Sequence, residues 1–261
     1  MPLLHALILG IVQGLSEFLP ISSSGHLIII PAVFGWDVQS LFFDVSVHIG
    51  TVLAVIVFFR KRLWRIIQDF FYGKPRIVLW VVLATIPAMI AGIFLDDMVE
   101  TIFRNPKIVV FNLMFWGIVL WCADVYRKKT NKIVELENVG SWRSLLVGVA
   151  QAIALIPGTS RSGITITAGL FSKLTRRAAL EFSFLMSIPV IVASVLLKGI
   201  VYIKNPVEFI GFAPLLTGVA ASFASGLFAL WILWRIAASY RFWPFALYRL
   251  LLGIILLVWL L

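Results

Sequence analysis

The sequence predicts an all-α integral membrane protein, built from six transmembrane helices and two re-entrant helical hairpins arranged as an inverted-topology repeat. Three observations predict it. Of the 261 residues, 61% are hydrophobic and 13% are charged, and the mean hydropathy is +1.04. A soluble chain of this size carries about 25% charged residues. Six apolar stretches are long enough to cross a bilayer, which takes roughly 17 to 25 residues each. Two other apolar regions are interrupted at their centres by Ser, Gly and Pro.

The six stretches run from Leu41 to Phe59, Ile77 to Leu95, Ile108 to Tyr126, Ala178 to Leu197, Ala213 to Trp234 and Phe245 to Leu261. No hydrophilic segment between them is long enough to fold alone, so the reading is a single membrane domain over residues 1–261. The start, Met1-Pro2-Leu3-Leu4-His5, lacks a basic region, and Gln13 and Glu17 follow the apolar stretch. It reads as mature protein rather than a signal peptide. One cysteine, Cys122, excludes an intrachain disulfide and reads as lipid or helix packing.

The first interrupted region is Leu3 to Leu15, then Glu17-Phe18-Leu19-Pro20-Ile21-Ser22-Ser23-Ser24-Gly25-His26, then Leu27 to Phe34. The second is Leu145 to Ile156, then Pro157-Gly158-Thr159-Ser160-Arg161-Ser162-Gly163, then Ile164 to Phe171. Each flank is too short to span. Two half-helices meeting at a polar loop inside the bilayer fit this pattern, provided protein or a watery cavity surrounds the loop.

The interrupted regions resemble each other. Gly10-Ile11-Val12-Gln13 matches Gly148-Val149-Ala150-Gln151, and Pro20 through Gly25 matches Pro157 through Gly163. Gln13 to Gly25 and Gln151 to Gly163 are the same separation, and Asp44 matches Glu181 within one residue. The repeat therefore covers about 1–127 and 141–261 at an offset of about 138. Three crossings lie between the copies, which inverts the second and places the active centre where they meet.

Lys and Arg set the orientation. The segment from Arg60 to Arg76 holds six and that from Arg127 to Arg143 holds five. Lys173, Arg176, Arg177, Arg235, Arg241 and Arg249 are counted on the same side. The other side has Arg104, Lys107, Lys198 and Lys204. The basic side is expected in the cytoplasm, with both termini outside. The net charge of +10 is thus spread over topology-setting loops, which argues against a nucleic-acid partner.

Gln13 and Glu17 share a helix face, and a carboxylate inside an apolar region normally has a function. It could bind a cation, act as a base, or cap the broken helix. Ser22, Ser23, Ser24 and His26 place hydroxyls beside an imidazole, a nucleophile-and-base set that is also compatible with a simple serine-rich turn. Arg161 reads as the only Arg or Lys outside the loops. A guanidinium at that depth needs an anion, and phosphate suits its fork of donors; the alternative partner is Glu17 or Glu181. Thr159, Ser160, Ser162 and Gly163 surround it with hydroxyls and turn N–H groups. Asp44 and His48, also four apart, and Glu181 line the cavity or cap helices, while His5 and Asp124 read as interfacial.

The two motifs are similar to those of the undecaprenyl-diphosphate phosphatase family, the bacitracin-resistance type. Gln13-x-x-x-Glu17 followed by Pro20-x-Ser22-Ser23-x-Gly25-His26 resembles the first, and Pro157-Gly158-Thr159-Ser160-Arg161-Ser162-Gly163 the second. The resemblance extends over essentially the whole chain. It implies hydrolysis of undecaprenyl diphosphate to undecaprenyl phosphate and inorganic phosphate in the bacterial cytoplasmic membrane, recycling the carrier of cell-wall polymers. It implies a divalent cation, magnesium or calcium, with Gln13 and Glu17 as ligands. Glu17 would be the catalytic or metal-binding acid, Ser23 and His26 nucleophile and base, and Arg161 the holder of the diphosphate. Ser22, Ser24, Thr159, Ser160, Ser162 and Gly163 would bind its oxygens. Gln13 stands where many members carry Glu, and a neutral amide cannot act as a base and is a poorer metal ligand, so the chemistry leans on Glu17. Attack by Ser23 and attack by water both remain open, as does a homodimer. The site is expected to open to the outer face. The competing class is a polyprenyl-phosphate flippase or other anion transporter, which inverted repeats also serve.

Overall fold

The computed structural model describes residues 1–129, 133–204, 210–236 and 241–260. They form eleven α-helices and one short 3₁₀ turn, Leu136–Asn138; among the described residues there is no strand beyond an isolated bridge between Val134 and Leu174. The first interrupted region folds as α1 (Leu3–Phe18) and α2 (Ser23–Phe34), and the second as α7 (Gly140–Ile153) and α8 (Arg161–Phe171). The six long apolar stretches become α3 (Leu41–Phe58), α5 (Arg76–Thr101), α6 (Pro106–Lys129), α9 (Arg176–Lys204), α10 (Phe212–Ile236) and α11 (Trp243–Leu260). Four of these, α5, α6, α9 and α10, are long and apolar enough to cross a membrane.

A further helix stands where the sequence reads as a basic loop. α4 (Arg60–Phe71) follows α3 at a bend of 75°, and the bent pair counts as a fifth span if taken as one. Its pattern explains it: Ile66 is buried while Arg60, Lys61, Trp64 and Arg65 are exposed. One apolar stripe with a cationic opposite face is the signature of an amphipathic helix. Arg62 bonds Glu181 of α9 and Glu137 of the 3₁₀ turn, each at 2.6 Å. That hydrogen bond holds the Glu137 carboxyl below the usual carboxylate range.

The broken helices are seated by glycine. A Cβ on Gly10 of α1 would lie 2.4 Å from the Gly218 carbonyl oxygen of α10, and one on Gly148 of α7 would lie 2.5 Å from that of Ala84 in α5. These two glycines correspond in the repeated pattern. So α1, from the first half of the chain, packs on α10 of the second, and α7 of the second half packs on α5 of the first. Helix backbones this close gain dispersion contacts where lipid offers no hydrophobic drive to association. Both halves thereby bring their interrupted helices to the middle of the bundle.

Gly10→Ala and Gly148→Ala should each lose about 1–3 kcal/mol of stability through overpacking. Gly92→Ala on α5, where an added Cβ meets nothing within 4 Å, should hold or raise the melting temperature through better helix propensity. Tryptophan-fluorescence melts in detergent would check it, and equal behaviour of all three would contradict the packing account.

Candidate functional site

The two serine-rich turns share one backbone design. Ser22 and Ser160 are non-glycine residues with positive φ, at 75° and 72°, and each caps the helix that follows. Ser22 Oγ accepts from the Gly25 N–H at 3.4 Å, and Ser160 Oγ accepts from the Gly163 N–H at 3.1 Å. Such backbone costs of order 1–3 kcal/mol and persists only where the surroundings over-determine it. The consequence is that α2 and α8 begin abruptly and present their N-terminal residues, Ser23 and Arg161, to one cavity. Helix N-termini carry unsatisfied N–H groups and partial positive charge, which suits an anion.

Glu17, at the end of α1, is 6% exposed and is the hub of the site. Its Oε1 accepts from Arg161 Nη2 at 2.6 Å. Its Oε2 accepts from Ser23 Oγ at 2.6 Å and Gln13 Nε2 at 3.0 Å, and lies 3.5 Å from His48 Nε2. Arg161 Nη1 also donates to the Ser183 carbonyl of α9 at 3.0 Å. A cavity of about 200 Å³ opens over this set. Its polar wall comprises Glu17, Ser23, Ser24, His48, Gln151, Ser160, Arg161 and Ser194, and its apolar wall Val45, Ala88, Ala154, Leu155, Val190 and Ile191. The apolar wall continues into a second space of about 180 Å³ between α5 and α9, bordered by Met89, Gly92, Ile93, Ala193 and Leu197.

The remaining expected residues divide. Ser24 and Ser160 face the cavity, whereas Ser22, Ser162 and Gly163 knit the turns, Ser162 Oγ donating to the Leu19 carbonyl at 3.2 Å. Thr159 is fully buried and, among the described residues, its hydroxyl has no hydrogen-bond partner. His26 is not brought to Ser23. Its Nδ1 is 2.7 Å from the Ser22 carbonyl oxygen, its Nε2 is 2.7 Å from Tyr248 Oη, and it lines no part of the cavity. The ring also stacks on Tyr248 at 5.8 Å. A carbonyl accepts only, so Nδ1 carries a proton, and in the neutral ring Nε2 accepts from tyrosine. His48 occupies the place beside Glu17 instead. It is oriented from α3 by a bond between Nδ1 and the Asp44 carbonyl, while the Asp44 carboxylate pairs with Arg104 at 3.1 Å and Gln39 at 2.8 Å.

One sequence reading is corrected. Arg161 is not alone: Arg249, counted among the loop cations, is 0% exposed and lies inside α11 against both turns. Its place within the apolar stretch Phe245 to Leu261 was the available signal. Asp124, near the end of its span, is 1% exposed, held by Arg176 Nε at 2.7 Å and the Phe242 N–H at 3.0 Å. Glu181 belongs to the Arg62 cluster away from the cavity.

The chain matches the family model described as bacitracin resistance protein BacA over residues 6–255, and it belongs to that family. A protein of Trichlorobacter lovleyi named undecaprenyl-diphosphatase is 43% identical over 97% of this chain and 96% of its own length. Another of that name, from Gemmatimonas aurantiaca, is 43% identical over 96% and 95%. One from Pseudoalteromonas translucida, named undecaprenyl-diphosphatase 1, is 38% identical over 100% and 99%.

The Glu17–Arg161 pair should behave as a coupled unit. Breaking a buried pair on one side leaves an uncompensated charge and costs about 3–5 kcal/mol. Glu17→Gln and Arg161→Gln should each lower the melting temperature, and the double variant should recover part of the loss. A coupling of at least about 1 kcal/mol in the double-mutant cycle is expected; strict additivity would deny the contact.

Proposed function

We propose that the protein hydrolyses undecaprenyl diphosphate to undecaprenyl phosphate and inorganic phosphate. The observation that carries this reading is the line Ser23–Glu17–Arg161 beside a cavity whose apolar wall runs out between two helices. A serine hydroxyl, a carboxylate able to take its proton and a guanidinium able to grip phosphate are the parts phosphoryl transfer needs. The polar end fits a diphosphate and the apolar cleft fits the first units of its prenyl tail. Membership of the family and the name shared by relatives of about 40% identity support the same substrate.

In this reading the diphosphate competes with Glu17 for Arg161. As Arg161 turns to the phosphate, Glu17 Oε1 is freed while Oε2 stays bonded to Ser23, whose proton it can take. Ser23 Oγ then attacks the terminal phosphorus. The new Oγ–P bond forms as the bond to the bridging oxygen breaks. Undecaprenyl phosphate leaves with the electron pair, and the serine proton passes to Glu17. Water cleaves the phosphoserine, restoring the hydroxyl and releasing orthophosphate. The N-termini of α2 and α8 stabilise the charge on the oxygens in both steps. His26 holds the first turn in shape.

The residues fit a divalent cation, magnesium or calcium, shared with the substrate. Gln13 Oε1 is buried and has no hydrogen-bond partner among the described residues, while its Nε2 is the atom that meets Glu17. Among the described residues no group of three acidic, His or Cys side chains gathers into a cage. A cation held by one carboxylate together with phosphate oxygens asks for no more. Gln13 and Glu17 would hold it, and it would neutralise charge on the diphosphate.

The finer architecture belongs to the same proposal: six crossings, two re-entrant hairpins, and a second copy inverted against the first. The matched turns at Ser22 and Ser160 and the reciprocal packing of α1 on α10 and α7 on α5 support it. The basic side faces the cytoplasm and the cavity opens to the outer face of the cytoplasmic membrane.

Phosphate-release kinetics on purified variants test the chemistry. Arg161→Lys keeps the charge but loses the planar fork and should fall about 10²-fold, as for other preorganised donors. Ser23→Ala and Glu17→Gln should collapse, with added magnesium or calcium rescuing Glu17→Gln only weakly. Near-parent turnover by a folded Arg161→Ala would overturn the assignment.

A further inference from the structure

Arg249 is a buried charge that the chemistry above does not use. It sits in α11, and none of its atoms lines the cavity. Its Nε donates to the Leu113 carbonyl at 2.9 Å and Nη1 to that of Pro20 at 3.4 Å. Its Nη2 is shared among the carbonyls of Asn112 at 3.2 Å, Gly158 at 2.9 Å and Thr159 at 3.0 Å. Among the described residues it forms no ion pair. A guanidinium with only neutral acceptors is costly in an apolar region and marks function more often than packing. Its acceptors identify the function. Pro20 belongs to the first turn and Gly158 and Thr159 to the second, so one planar group spans both from behind the cavity. A lysine, with a single nitrogen on a flexible stem, cannot reach the same set.

We infer that Arg249 is a positioning residue for the phosphate cradle: it fixes the separation of the α2 and α8 N-termini, and with it the placing of Ser23 against Arg161, without touching substrate. The inference rests on the reading of the site as a diphosphate cradle. The geometry leaves little slack around it. A Cβ on Gly163, in the first turn of α8, would lie 2.9 Å from Arg249 Nη1. On the other side a Cβ on Gly117 of α6 would lie 3.2 Å from Arg249 Cβ. Gly117→Ala is therefore a lever that pushes α11 at Arg249 by a few tenths of an ångström while removing no polar group.

The test uses the full chain in detergent, with three readouts: melting temperature, kcat and KM for phosphate release, and calorimetric binding of inorganic phosphate. In Arg249→Lys, kcat should fall at least about 10-fold, since misplacement of about 1 Å far from the chemistry can cost 10²-fold. The dissociation constant for inorganic phosphate should rise by a similar factor. KM for the lipid should move much less, because the tail is bound elsewhere. Gly117→Ala should show the same pattern more weakly at an unchanged melting temperature, and it decides alone if Arg249→Lys does not fold. Parent-like kcat and phosphate affinity in the folded variants, even with a lowered melting temperature, would make Arg249 merely structural and overturn the inference. A parent protein that neither binds nor releases phosphate would overturn the cradle reading instead, and this inference with it.

Discussion

The ion pair between Glu17 and Arg161 is the constraint on which the rest of the site depends. Its partners lie 144 residues apart in the chain and 2.6 Å apart in space. Each is a charge in apolar surroundings, and either alone would carry a desolvation penalty that burial does not return. Bringing them together requires two helices to stop inside the bundle, two serines to accept a left-handed backbone, and glycines to let α1 and α7 approach their neighbours at backbone contact. A pair held so closely is also a latch. In the proposed reaction, a diphosphate takes Arg161 from Glu17 and leaves a carboxylate beside a serine hydroxyl.

Much of this was legible in the sequence because the signals are local. Apolar length marks the long helices. Pro, Ser and Gly at the centre of an apolar run mark the interrupted ones, and both folded as two half-helices with the break where those residues cluster. The spacing of Gln13 and Glu17 put them on one face, and they bond at 3.0 Å. The loosely matched motifs stand in similar turns, and the capping of Gly25 by Ser22 and of Gly163 by Ser160 was not read from the sequence. Arg161 was legible as a cation in need of an anion, and Glu17 was among the partners its position allowed.

What escaped the sequence depends on contacts between distant segments. Arg249 sits near the start of an apolar stretch, where a cation ordinarily reaches the interface; only the arrival of Pro20, Gly158 and Asn112 around it turns that position into the interior. Asp124 reads as an end residue and is one, but its partners, Arg176 and the Phe242 N–H, come from segments the sequence does not place beside it. His26 follows the serines closely enough to suggest a base for Ser23, but its ring turns away to Tyr248, which lies 222 residues further on. The reverse holds for His48, which the fold carries from α3 to Glu17. The helix α4 was missed for another reason: its charge density hid a single apolar stripe anchored by Ile66.

The competing description of this architecture is a carrier that moves a polyprenyl phosphate or another anion, since broken helices serve transport as readily as hydrolysis. Transport needs two compartments and hydrolysis needs none. The most direct measurement is therefore orthophosphate release from undecaprenyl diphosphate by the purified protein in detergent micelles, where no gradient exists, with and without chelator. The account predicts multiple turnovers, one orthophosphate per diphosphate, suppressed by chelation. No release from a folded protein supplied with magnesium or calcium, alongside movement of the lipid across reconstituted vesicles, would contradict it.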